Sequence, residues 1–226
     1  MPIDHIVWDW NGTLFDDGDA LVLATIDAFA ASGLPVVTRQ NYRAHFTRPI
    51  TDFYERLAGK PLTMVEQARL ATDFQRSYAR HLTAMTLHPV AVDALTAWRD
   101  AGRTQSLLSM YPHDRLTALT ELRTVEHFFT RVDGTADDEL PRKEPHLRRH
   151  LAALGSGTVL LVGDNVDDVS AARACGIACV LYHPGERALV SDVRAHELNV
   201  PVAADLAAAV RFALAVDSDE RAVDPR

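Results

Sequence analysis

His5-Ile6-Val7-Trp8-Asp9, running on into Trp10-Asn11-Gly12-Thr13, is the stretch on which the fold turns. A short apolar run ends in an acid and meets Asn-Gly, the pattern of a buried strand that stops at a turn. Thr158-Val159-Leu160-Leu161-Val162 repeats it more strongly and is followed by Gly163-Asp164. Continuous apolar runs, rather than alternating ones, suit parallel strands covered on both faces. Residues 104–109, 128–132 and 177–181 read as further strands. Between them lie helical stretches: about 90–101, one opening at Pro112, about 144–154, and one whose start holds Asp168. Strands alternating with helices predict an α/β fold, a doubly wound parallel sheet with right-handed crossovers.

The interval after the first strand differs. Leu21, Ala24 and Ala28 share one helical face over residues 19–32, with Val22, Ile26 and Phe29 on the adjoining one, before Gly33 and Pro35 end the run. Thr38 can cap a second short helix. Thr63-Met64-Val65-Glu66 has capping-box spacing and opens a long helix to about 84. Almost no strand signal occurs from 19 to 87. The expected organisation is a Rossmann-like core from residues 1–17 and 88–216, a small helical cap from 18–87, and a charged, aperiodic, flexible tail from 217–226.

Composition fits this plan. The chain has 226 residues, enough for a buried core carrying a smaller insert. With 47% hydrophobic and 24% charged residues it is globular in character. A net charge of −8, with 31 acidic residues spread along the chain, excludes a nucleic-acid backbone as main partner. A small anionic substrate stays admissible, because local cations and a metal outweigh a distant negative field. No stretch approaches the roughly 20 apolar residues that span a bilayer, so the expectation is a cytoplasmic protein without a membrane partner, monomeric or homodimeric. Cys175 and Cys179 read as small buried thiols, and His146 and His150, at i, i+4 spacing, as a solvated helix face.

In open parallel sheets ligands bind beyond the carboxyl ends of the strands. The polar residues expected there are Asp9, Ser109 and Asp164. Asp168, four residues past Asp164 at a helix start, can approach the same place. Lys143 precedes a helix in Arg142-Lys143-Glu144-Pro145, and the only other lysine is Lys60.

Four ordered motifs now stand together: residues 9–16 from Asp9 to Asp16, Leu107-Leu108-Ser109, Lys143 with Pro145, and Gly163-Asp164-Asn165-Val166-Asp167-Asp168. In that order the chain resembles the haloacid dehalogenase superfamily, specifically phosphatases with a helical cap inserted after the first strand, such as the phosphoglycolate phosphatase group. The resemblance implies a magnesium-dependent hydrolase of a small phosphate ester, with Asp9 as the nucleophile that accepts the phosphoryl group. It implies Mg2+ held by Asp9, Asp164 and the backbone carbonyl of Asn11. Asp168 would join that metal site or hold Lys143. Ser109 and Lys143 would bind the phosphoryl oxygens, with Gly12, Thr13 and Met110 contributing around them. Arg48, in residues 46–50, falls where the cap of that group touches the leaving group.

One position departs from the pattern. In most phosphatases of the superfamily, the residue two after the nucleophile is a second aspartate that serves as acid and base. Here it is Asn11, and an amide exchanges no proton at neutral pH, although its carbonyl still reaches a metal. General acid–base assistance contributes about 10²–10⁴-fold. Two alternatives follow: a phosphonoacetaldehyde hydrolase-like enzyme, which needs a cap lysine for a Schiff base with Lys60 as candidate, or a low-activity phosphate-binding member.

Overall fold

The computed structural model describes residues 2–82, 84–136 and 142–221, the last five of these without their side chains. Six parallel strands form its centre: β1 (His5–Trp8), β2 (Thr104–Pro112), β3 (Val132–Thr135), β4 (Val159–Gly163), β5 (Ala178–Tyr182) and β6 (Val202–Ala203). Their order is β3-β2-β1-β4-β5-β6, the doubly wound arrangement expected. β1 pairs with β2 through His5↔Thr104 and with β4 through His5↔Val159, so the winding reverses at β1. That reversal opens a crevice at the carboxyl end of β1, directly after Asp9.

The two sheet faces explain the unbroken apolar runs. Ile6, Trp8, Leu160 and Val162 point into a core closed by α5 (Ala91–Asp100), α6 (His113–Leu122) and α10 (Leu206–Arg221). Val7 and Leu161 point the other way, against α7 (Lys143–Leu154), α8 (Val166–Cys175) and α9 (Asp192–Glu197). A strand wet on one face would alternate; these have no wet face.

Four helices lie between β1 and α5: α1 (Gly18–Ala31), α2 (Arg39–His45), α3 (Ile50–Ala58) and α4 (Met64–Leu82). Val22, Phe29, Tyr42, Phe53, Leu57 and Leu70 form an apolar cluster of their own there. Thr38 caps α2 with Asn41 as its reciprocal partner, and Thr63 and Glu66 close the box before α4. α3 was not anticipated, although Ile50, Phe53, Tyr54 and Leu57 have helical spacing; Gly59 ends it at φ +67°.

Two further expectations are corrected, and one short strand carries no sequence signal. The strand placed at 128–132 begins at Val132; Glu126–Phe128 is a 3₁₀ turn, and the Phe128 ring takes the Arg99 guanidinium at 4.8 Å instead of a sheet position. β6 is only two residues long, too short for periodicity to reveal. α10 runs through Arg221, so the first five residues of the segment read as a tail are helical, while 222–226 lie outside the described residues. Among the described residues, no helix is long and apolar enough to cross a membrane.

His146 and His150 are not solvated: both are buried, because this face of α7 packs on the sheet. His150 belongs to a polar chain through the interior. Its Nδ1 lies 2.7 Å from Asp133 Oδ2 and its Nε2 2.7 Å from Ser106 Oγ, and Ser106 Oγ lies 2.7 Å from His5 Nε2. His5 Nδ1 meets Thr104 Oγ1 at 2.7 Å. Every group is satisfied when both imidazoles are neutral and each hydroxyl passes one donor along. Burial, helped by His150, pushes His5 down to about 4, and burial also lowers His150. The unfolded chain therefore takes up protons first, so stability contributed by this chain is full above pH 6.5 and lost as pH falls toward 4. The midpoint of thermal unfolding is expected to fall across that window, and less so in His5→Gln. Equal slopes for the two proteins would remove His5 from the effect.

Candidate active site

The crevice at the end of β1 collects residues from four segments. Asp9 follows β1 directly and is 4% exposed. Lys143 is the first residue of α7, with its backbone N–H donating to Asp167 Oδ2 at 2.9 Å. That contact aims the lysine inward, where Nζ donates to Asp9 Oδ1 at 2.5 Å and to Asp168 Oδ1. Asp168 is the third residue of α8 and reciprocates the Asn165 cap, with Oδ2 accepting from the Asn165 N–H at 3.1 Å. One carboxylate thus starts a helix and holds an ammonium 25 residues away in sequence. Asp164 follows β4, and its Oδ1 accepts from Asn165 Nδ2 at 3.4 Å and Thr13 Oγ1 at 3.5 Å.

Asp9, Asp164 and Asp168 each offer an oxygen within 4.8 Å of the others. Burial, and then the neighbouring Asp9 and Asp168, hold Asp164 well above the usual carboxylate range. Burial also pushes Asp9 up, to about 7, against the pull of Lys143. Burial would lower Lys143, but Asp168 and Asp9 more than offset it and hold the ammonium above its ordinary range. Three buried carboxylates around one ammonium are short of positive charge. An oxygen-only donor set of this kind suits a hard divalent cation such as magnesium.

Two glycines make the approach possible. Gly12 has φ +76°, and a Cβ there would stand 2.2 Å from Asp164 Oδ2. A Cβ on Gly163 would stand 2.3 Å from Asp168 Cγ. Both carboxylates occupy space that any other residue would fill.

Asn11 is held from three sides. Its Nδ2 donates to Asp17 Oδ2 at 2.6 Å and to Tyr78 OH at 3.2 Å, and its Oδ1 accepts from Ser109 Oγ at 3.3 Å. Tyr78, from α4, donates to Asp17 Oδ2 at 2.6 Å, and the Gly12 N–H donates to Asp17 Oδ1 at 2.8 Å. Asp17 is fully buried, and burial raises its carboxyl despite these donors. Sequence reasoning missed Asp17 and Tyr78. The paired acids Asp16-Asp17 before α1 were a visible signal; nothing in the sequence marks Tyr78.

A cavity of about 250 Å³ opens on this cluster and extends between β2 and helices α1–α4. Asp9, Asn11, Ser109, Met110, Lys143, Asp164 and Arg48 all line it. Gly12 and Thr13 do not: the Gly12 N–H is taken by Asp17 and Phe15, the Thr13 N–H by Trp10, and the Thr13 hydroxyl turns to Asp164. The turn they make is closed on itself. Lys60 lies away from the cavity, exposed and paired with Glu66 at 2.9 Å.

A sequence model of the family described as haloacid dehalogenase-like hydrolase matches residues 3–176. The phosphoglycolate phosphatase of Pseudomonas savastanoi pv. phaseolicola is 24% identical over 201 residues, covering 80% of this chain and 69% of that protein. The phosphoglycolate phosphatase of Vibrio vulnificus (strain YJ016) is 27% identical over 194 residues, covering 79% and 82%. Among solved structures, a haloacid dehalogenase-like family hydrolase from Streptococcus pneumoniae superposes with a TM-score of 0.78 at 17% identity, over 93% of this chain and 98% of that one. This last likeness concerns the fold alone.

Proposed function

Since the chain belongs to the haloacid dehalogenase-like hydrolases, we propose that it is a phosphatase of small phosphorylated metabolites working through a phosphoaspartyl intermediate on Asp9. The observation that carries this reading is the convergence of Asp9, Asp164, Asp168 and Lys143 at one sheet edge. Its similarity to phosphoglycolate phosphatases supports the substrate class.

Asp9, Asp164 and the Asn11 carbonyl would hold magnesium, with Asp168 beside them. When bound, the ion removes the repulsion between a carboxylate nucleophile and a phosphate dianion. The protein's own groups do the positioning. Lys143 fixes Asp9 Oδ1 and leaves Oδ2 for attack, while its charge balances the phosphoryl oxygens. Ser109 Oγ, already near Asn11, offers a hydrogen bond to one of those oxygens. Residues 18–87 act as the cap that closes over the cavity, where Arg48 can take a polar group of the leaving alcohol. Attack of Asp9 Oδ2 on phosphorus would displace the alcohol, which takes its proton from water, and a second water would then cleave the phosphoaspartate to give phosphate and the free Asp9 carboxylate.

The position of Lys60 removes support from a Schiff-base mechanism, because the one cap lysine is absent from the cavity lining and the lysine that does line it, Lys143, is held by Asp9 and Asp168. Asn11 keeps a second reading open as a matter of rate: its amide is oriented by Asp17, Tyr78 and Ser109 and has no proton to give, which favours slow turnover.

The test is a phosphate-ester screen with chelator and with magnesium. Hydrolysis is expected only with magnesium, and the ion should also raise the unfolding midpoint, by about 2.7 kcal/mol of stability at a hundred times its Kd. The rise should be larger at pH 8 than at pH 5.5, because the ion needs Asp9 and Asp164 ionised. Chelator-resistant hydrolysis, or no midpoint shift, removes the metal from the proposal.

A further inference from the structure

We infer that the alcohol released by this enzyme is a bulky apolar one rather than a second anion such as glycolate. The inference rests on the phosphatase reading and narrows it. Away from the carboxylates, the cavity wall is aromatic: Tyr42, Phe46, Phe53, Tyr54 and Phe74 from helices α2–α4 and their connections, and Tyr111 from β2. Tyr42 and Phe46 stack with centroids 5.4 Å apart, and Phe53 meets both edge-on at 4.9 and 5.3 Å. Such a wall is rigid and offers ring faces and edges to whatever occupies the space.

Charge points the same way. Asp9, Asp164 and Asp167 line the cavity, and Asp168 stands behind Lys143. Against these four carboxylates the described lining supplies two cations, Lys143 and Arg48. Lys143 is shared between Asp9 and Asp168, which leaves Arg48 as the lining cation outside that cluster. One divalent ion brings the site to balance, and a single phosphoryl dianion then turns it negative. The site as a whole then carries no net positive charge to draw a carboxylate on the leaving group, whereas apolar surface gains by leaving water.

Matched ligands test this on the native protein with magnesium. Binding of 3-phenylpropylphosphonate and 3-phosphonopropionate is measured by calorimetry, and kcat/KM is compared for 2-phenylethyl phosphate and 2-phosphoglycolate, both esters of primary alcohols. The aryl member is expected to lead by at least tenfold in each pair. Ile50→Arg, at the half-buried first residue of α3, places a cation on the wall and is expected to move both ratios at least tenfold toward the carboxylate. Equal or reversed preference in the native protein overturns the inference and leaves the phosphatase reading standing. A folded Ile50→Arg protein with unchanged ratios also overturns it. If neither phosphonate binds and neither ester is cleaved, the phosphatase reading falls and this inference with it.

Discussion

Asp9→Asn is expected to abolish phosphate-ester hydrolysis while leaving the metal-free protein at least as stable as the native one. The activity loss should be on the order of 10⁴-fold or more, the scale on which covalent nucleophiles register elsewhere. The amide keeps the size of Asp9 but cannot attack phosphorus. The stability result has a separate cause. Burial pushes Asp9 up to about 7, so ionising it costs the fold stability, a cost that accumulates as pH rises from about 4 to about 7 and is full above that. A neutral amide removes it, and Lys143 keeps Asp168 as partner. The gain over native should therefore be full at pH 8, smaller at pH 5, and vanish below about pH 4. Residual hydrolysis within tenfold of native would take Asp9 out of the chemistry. A lower midpoint at pH 8 would show that Lys143 needs both carboxylates.

The second large effect runs in the opposite direction. Asn11→Asp combined with Asp17→Asn is expected to raise turnover by about 10²–10⁴-fold, the usual worth of a positioned acid–base group. Asn11→Asp alone should give far less. In the native protein Asn11 Nδ2 sits 2.6 Å from Asp17 Oδ2, so a carboxylate at 11 would face a second carboxylate already desolvated by burial. Two such groups share one proton and their titrations split apart. Exchanging the two residue types keeps the contact with the donor reversed. Steady-state kcat on an alkyl phosphate decides the matter. A double variant no faster than native would mean that the missing carboxylate at 11 does not limit the rate.

Much of the site was legible because its residues follow strands. Asp9 and Asp164 end unbroken apolar runs, and in a parallel sheet such ends meet at one edge whatever the helices do. Lys143 and Asp168 were readable as helix-start residues, and their mutual contact follows from α7 and α8 starting side by side. For Gly12 and Thr13, sequence shows that a turn exists but not where its N–H groups point. Here they close inward on Asp17, Phe15 and Trp10. Tyr78 could not be read at all. It lies 67 residues from Asn11 in a helix whose exposed neighbours dilute the pattern, and only tertiary packing brings its hydroxyl to the loop after β1. The solvated reading of His146 and His150 failed for a related reason: helical spacing shows that two residues share a face, not which face meets the sheet.

The phenol of Tyr78 ties α4 to the loop after β1. Its hydroxyl spans α4 and the loop after β1, donating to Asp17 and accepting from Asn11. Any swing of α4 away from the sheet breaks both bonds together. The loop is then left with a buried acid that has lost a donor, and with an amide freer to turn. In a phosphatase working as proposed, admission of a ligand beside α4 and alignment of the loop after β1 would be one event, and a ligand that held the entrance ajar would also spoil the geometry at its floor.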